Sequence, residues 1–159
     1  MSCLLIAFYL LVISVTAEAD VEKTTPPEHA CLVGDSVKVV IDIEVADSPA
    51  KRQQGLMGRK NLGTHDGMLF VYDRLQPPST AFWMYRTHLP LDIAYIGPND
   101  QILAINAMTP CTAGAHECPK YPAGVSFNKA LEMNRGFFAA EGIDVGDTFV
   151  RSHEADCSV

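Results

Sequence analysis

Residues 37–45 place Val39, Ile41, Ile43 and Val45 on one side of an extended chain and Val40, Asp42 and Glu44 on the other. A side-chain period of two is that of a strand with one face wet. Comparable short β-forming runs recur at 68–72, 80–87, 91–96, 101–108, 128–133 and 148–151. In 80–87, Phe82 and Met84 would share one face and Trp83 and Tyr85 the other. Turn residues separate the runs: Gly63 to Gly67, Gln76-Pro77-Pro78-Ser79, Gly97-Pro98-Asn99-Asp100 and Gly146-Asp147. Pro98 stands in the second position of its turn, so 91–108 reads as a hairpin.

Only two stretches predict helix. One starts at Asp47-Ser48-Pro49, a cap followed by proline, and runs to about Met57 before Gly58. The other spans 135–141 and is closed by Gly142. The expected fold is α+β: a β-rich, compact, mostly antiparallel, twisted or barrel-like sheet with two short helices. Repeats and low-complexity runs are absent from the sequence.

The N-terminus predicts export. Residues 4–15 are apolar save Ser14, and Ala17-Glu18-Ala19 fits a small-residue cleavage site. Residues 1–19 therefore read as a signal peptide cut after Ala19, with Ala17 as the alternative cut and an uncleaved anchor as the alternative fate. No lipobox lies at the junction, and no later run reaches the roughly 18 apolar residues of a membrane span. Residues 20–36, with Thr24-Thr25-Pro26-Pro27, read as a flexible leader. Residues 37–151 form one domain and 152–159 a tail.

Charge narrows the partners. The chain carries −7, and its basic residues are scattered. No nucleic-acid partner is expected, for want of a basic footprint. Cysteine parity agrees with export. Without Cys3 of the signal, Cys31, Cys111, Cys118 and Cys157 remain, an even number suited to an oxidising compartment. Cys111–Cys118 is favoured, because Gly114 lets the short loop turn back. Closing it contributes roughly 2–3 kcal/mol on the chain-entropy account. Cys31–Cys157 follows by elimination.

Three blocks carry a family resemblance: Gln54-Gly55-Leu56-Met57, Gly67-Met68-Leu69-Phe70, and the run from Phe82-Trp83-Met84-Tyr85-Arg86-Thr87 through His88-Leu89-Pro90-Leu91-Asp92. Pro110, Tyr121-Pro122, Ala130-Leu131-Glu132, Gly136, Gly142-Ile143 and Gly146-Asp147 continue it. The chain resembles the domain of unknown function 192 family of small, often exported, prokaryotic proteins, from about Val37 to Val150. The resemblance implies a compact β-rich fold and no established activity. It also implies a cysteine pair beside the proline block, as in exported members. The family commonly has Asn or Asp where this chain has Arg86.

Candidate site residues follow from chemistry. Trp83, Arg86, Thr87 and Asp92 combine an aromatic, a cation, a hydroxyl and a carboxylate, the composition of a small polar groove. The packing alternative puts Trp83 in the core and Asp92 at a turn. Glu132 lies inside an apolar segment, where burial would raise its pKa for acid or base work, unless Arg86 or Arg135 pairs with it. Asp92 and Glu132 together would form a hydrolase-like pair if they met. Cys111, His116 and Cys118 have zinc-like spacing, but export favours a disulfide, so no metal and no cofactor are expected. No nucleophile elbow, dinucleotide fingerprint or phosphate loop occurs. The leading expectation is an exported, periplasmic or extracellular binding or accessory protein, taking a small polar ligand or another exported protein. The alternative is a hydrolase or isomerase acting on a small polar substrate such as a sugar, using Asp92 or Glu132. A third is a structural interaction module with an exposed apolar patch.

Overall fold

The structure is a computed structural model describing residues 28–152. The expected signal, its cleavage site, Thr24-Thr25-Pro26-Pro27 of the leader, the Cys157 end of the second disulfide and all of the tail after Ser152 lie outside the described residues.

The alternation that opens the sequence forms β2 (Lys38–Ala46). Val39, Ile41 and Ile43 are buried there, whereas Val40 is 37% exposed. On one side β2 pairs antiparallel with β1 (Glu28–Val33). On the other it pairs parallel with β3 (Asp66–Gln76), because helix α1 (Pro49–Gln54) and its following loop return the chain to the same end. This parallel pair is the exception to an otherwise antiparallel sheet.

Strand β4 (Ala81–Trp83) and β7 (Lys120–Pro122) form a separate two-stranded piece. The hairpin β5 (Leu91–Ile96) and β6 (Ile102–Met108) forms as expected around Gly97–Asp100. Asp100 closes that turn at φ 64, which aspartate tolerates. Strand β8 (Phe127–Asn134), helix α2 (Phe137–Glu141) and β9 (Thr148–Ser152) complete the chain. The seven-stranded sheet runs β6-β5-β8-β3-β2-β1-β9.

The sheet curls into a half-barrel. At one end its two edges touch: Phe149 N–H donates to Asp100 O at 2.8 Å, and Ile102 N–H to Asp147 O at 2.8 Å. Such closure protects edge strands that would otherwise present unpaired backbone.

Both faces of the sheet are covered. Leu32, Ile41, Leu69, Leu131 and Phe149 pack on one face with Phe137 and Phe138 of α2. Met68, Phe70, Ile93, Tyr95 and Phe127 pack on the other, under Phe82 of β4 and Leu56 beyond α1. Burial from both sides explains why every residue of β5 is buried, a pattern continuous rather than alternating. Tyr95 Oη donates to Tyr121 O at 3.0 Å, and Asn106 Nδ2 to Pro122 O at 3.1 Å, fixing β7 over the hairpin.

Several expectations need correction. The leader was expected over 20–36, but 28–33 is β1, held between β2 and β9 with Ala30, Cys31 and Leu32 fully buried. Two ladders stabilise a segment whose own composition signals little. Helix α1 stops at Gln54, because Gly55 takes φ 46 and its N–H bonds back to Lys51 O. Helix α2 begins at Phe137, after Gly136 in the left-handed region. The strand expected over 80–87 reduces to Ala81–Trp83, since a turn follows at once. Its partner β7 was not expected at all; it contains Pro122, which only a peripheral ladder accommodates.

Gly67 pairs with Met133 where β3 meets β8. A Cβ at Gly67 would strike Met133 Sδ and come within 2.7 Å of Glu132 O. Backbone cannot yield as a flexible side chain does. Gly67→Ala should therefore lower unfolding free energy by about 1–3 kcal/mol, the usual cost of overpacking. Urea titration checks this; an unchanged midpoint would show that β8 can shift to accept the methyl group.

Candidate functional site

The turn that ends β4 builds the site. Thr87 N–H donates to Met84 O at 3.0 Å, and Arg86, third residue of that turn, has φ 56. A β-turn with positive φ at its third residue is the kind that ordinarily takes Gly or Asn there. Arg86 is held by neighbours on both sides. Its N–H donates to Cys111 O at 2.9 Å, and its carbonyl accepts from Gly58 N–H at 2.9 Å. Tyr85 and Thr87 also bridge to Cys111. Cys111 is joined to Cys118 by the expected disulfide. The zinc spacing noted in the sequence thus has its two sulfurs committed to each other.

These contacts bring three segments around a cleft of ≈ 420 Å³. Gln54, Met57 and Gly58 come from the end of α1 and the loop after it. Arg86 and His88 come from the turn and its exit, and Thr112 from the disulfide loop. No carboxylate is among these lining residues. The Arg86 guanidinium lies over the Tyr85 ring, 5.7 Å from its centroid. Trp83 sits beside Tyr85 with ring centroids 5.3 Å apart and is 37% exposed. Trp83 and Tyr85 are thus neighbours as expected. The packing alternative of a core Trp83 does not hold.

Thr87 and Asp92 point elsewhere. Thr87 is 4% exposed, its hydroxyl 3.5 Å from Tyr85 O. Asp92 is buried at the start of β5. Its Oδ2 accepts from Gly136 N–H at 2.7 Å, and Oδ1 lies 3.4 Å from Arg135 Nε. Arg135 N–H donates to Pro90 O at 3.1 Å and its Nη1 to Met108 O at 3.3 Å. Asp92 therefore fixes the entry of α2 against the β5–β6 hairpin, the turn-tying role weighed against ligand contact.

Glu132 lies on the opposite face of the sheet from Asp92. Across β5 and β8, Asp92 faces Met133 and Ile93 faces Glu132. Successive residues of a strand alternate faces, so the two carboxylates project to opposite sides. The acid–base pair considered from sequence does not form. Glu132 is flanked across its ladders by Met68 and Ile93. The arginines expected as partners are engaged elsewhere: Arg135 with Asp92, and Arg86 with the Tyr85 ring. Burial alone pushes the Glu132 carboxyl from 4.5 up to about 8. Burial likewise raises the phenols of Tyr72 and Tyr95, and Glu132 adds to both shifts.

Of the five candidates, only Arg86 lines the cleft, with Trp83 adjoining through Tyr85. Sequence reasoning missed Gln54, Met57, Gly58, His88 and Thr112. A signal existed: Gln54 and Met57 belong to one resemblance block, His88 to another, and Thr112 follows Cys111. Nothing in the spacing said that the three segments meet. Among the described residues no group of three His, Cys, Asp or Glu side chains could hold a metal, and no helix is long and apolar enough to cross a membrane.

A curled mixed sheet, a two-stranded outer piece and a disulfide-walled cleft define a small β-rich α+β domain. The chain belongs to the domain of unknown function 192 family, DUF192, described as uncharacterized ACR, whose model matches residues 31–150. The match begins inside β1, in keeping with a folded unit that starts before Val37. A candidate transcription regulator from Sinorhizobium meliloti 1021 has a similar structure, with TM-score 0.68 and 28% identity, over 80% of this chain and 95% of that one. A protein of unknown function from Novosphingobium aromaticivorans DSM 12444 is similar with TM-score 0.64 and 32% identity, over 76% of this chain and 82% of that one. No curated protein matches the sequence.

Glu132 makes stability depend on pH. Its folded-state pKa lies above its ordinary value. Below that ordinary value both states are protonated and the stability is fully present. As pH rises, the unfolded chain ionises first and stability falls by about 1.4 kcal/mol per unit, until pH passes the folded-state value. The total loss is on the order of several kcal/mol. Glu132→Gln should flatten this decline and be the more stable form in alkali. Urea unfolding of both forms across mildly acid to alkaline pH measures it; parallel declines would mean that Glu132 has a partner for its charge.

Proposed function

We propose that the protein is an exported, non-enzymatic binding or accessory domain that holds a small polar ligand in the Arg86 cleft. The cleft itself carries this reading: it converges a cation, an imidazole, a hydroxyl and an amide on one concave surface, the usual make-up of a ligand site. Against catalysis by the two carboxylates stands their placement, Asp92 tied to Gly136 and Arg135, Glu132 across the sheet. Export rests on the apolar run at 4–15 and the Ala17-Glu18-Ala19 pattern, and the Cys111–Cys118 disulfide suits an oxidising compartment. The ligand is a small molecule or a polar side chain of another exported protein. The regulator named from Sinorhizobium meliloti suggests a nucleic-acid partner for this chain too; a net charge of −7 argues otherwise.

Expression of the full chain in a bacterium with a periplasm tests the reading. The expected product is periplasmic, lacks residues 1–19 by intact mass, and melts at a higher temperature with at least one small polar compound from a screen. Cytoplasmic retention with residues 1–19 intact would overturn export. A screen in which no compound raises the melting temperature would overturn binding.

The disulfide gives a second test. Replacing both Cys111 and Cys118 by Ser should cost roughly 2–3 kcal/mol, read by urea unfolding. It should also weaken ligand binding, because Cys111 O holds the Arg86 N–H and Thr112 adjoins it. A variant that binds as well as the parent would show that the loop is not a wall of the site.

A further inference from the structure

We infer that the cleft is built for a small oxyanion, a carboxylate or phosphate group, held by Arg86 with His88 and Thr112 beside it. This rests on the cleft reading and narrows it to a ligand chemistry.

Three observations carry it. The first is charge. Acidic residues outnumber basic ones 19 to 12, and several arginines are taken up by the protein. Arg59 is bound to Glu44, Arg135 to Asp92 and Arg151 to Glu28, while Arg52 donates to the carbonyls of Asp47 and Val71. Arg86 has no carboxylate among the described residues. It stands in a cleft whose lining contains none. A planar guanidinium offers paired donors that match a carboxylate or phosphate edge.

The second is backbone conformation. Arg86 sits at φ 56, where a side chain with a Cβ is disfavoured and Asn or Gly is the easier choice. The bonds from Arg86 to Cys111 and Gly58, and the Thr87–Met84 turn bond, hold it there. Residues kept in disfavoured conformations by such surroundings cluster at ligand sites. Arginine is the costlier residue here, so its head group, rather than its backbone, is what the position gains.

The third is orientation. The Tyr85 ring lies under the guanidinium, and Trp83 continues the aromatic surface. A stacked guanidinium has fewer orientations to lose on binding. Trp83, its ring tilted 37° from that of Tyr85, lies beside the cleft as an exposed aromatic neighbour of the guanidinium.

Backbone amide NMR of the exported protein tests this, with inorganic phosphate, malonate and glucose titrated separately. Phosphate, malonate or both should shift the Gly58 and Thr112 amides at millimolar concentration, and which of them does so identifies the preferred anion. Arg86→Asn should weaken that binding about tenfold or more, while its melting temperature stays level or rises. Arg86→Lys, which keeps charge and loses the fork, should fall between. Shifts with glucose and none with either anion would overturn the oxyanion and leave the cleft as a neutral-ligand site. Silence from all three probes overturns the oxyanion, while the compound screen decides separately whether the cleft binds anything. An Arg86→Asn variant that binds anions normally but melts lower would make Arg86 a structural residue and overturn the inference.

Discussion

β8 lies between β3 and β5, bonded to both, and the rest of the molecule depends on that double ladder. It joins the β5–β6 hairpin to the β3-β2-β1-β9 half of the sheet, and without it the two halves share no continuous sheet. The close approach at Gly67 lets β3 reach it. Over residues 130–133 the strand pleat then sorts its side chains, Leu131 and Met133 to one core and Ala130 and Glu132 to the other. That parity separates Glu132 from Asp92. It leaves one carboxylate free to tie α2 into place and seals the other among apolar groups, where it stays protonated well above the usual carboxylate range.

Chemistry open to solvent lies off the main sheet. The Met84–Thr87 turn cuts β4 short, the disulfide loop props it from one side and the end of the α1 segment from the other. Arg86 occupies the point where all three converge. A rigid sheet with variable peripheral loops is a common way to separate stability from recognition. Here the separation is sharp: the buried polar residues Thr87, Asp92 and Glu132 serve or burden the fold, and the polar cleft residues Gln54, Arg86, His88 and Thr112 are exposed.

Much of the fold was legible in the sequence because its signals are local. The period-two run in β2, the Gly97–Asp100 turn, Ser48-Pro49 at the start of α1 and Gly142 at the end of α2 each act over a few residues. β1 and β7 escaped because their order comes from neighbours. Glu28–Val33 is stabilised by strands β2 and β9, distant in sequence. Lys120–Pro122 is held by β4 and by Tyr95 and Asn106. Local composition carries no record of such partners. The site was legible only at Arg86 and Trp83. Thr87 and Asp92 looked like groove residues because their chemistry is right and they adjoin Arg86, but a turn and a strand start aim them inward.

The sequence by itself determined the class: short strands, two short helices, family membership readable from ordered motif blocks, and the Cys111–Cys118 bridge. All of these follow from interactions between residues near in the chain or from motif order. Only the tertiary structure decided the single parallel ladder, the meeting of the sheet edges, the opposite facing of Asp92 and Glu132, and the convergence of Gln54, Arg86 and Thr112 on one cleft. Each depends on which distant strands pair and in what register. A shift of one residue in that register would exchange the faces of every side chain on the strand, so register, and not residue type, sets Asp92 and Glu132 on opposite faces.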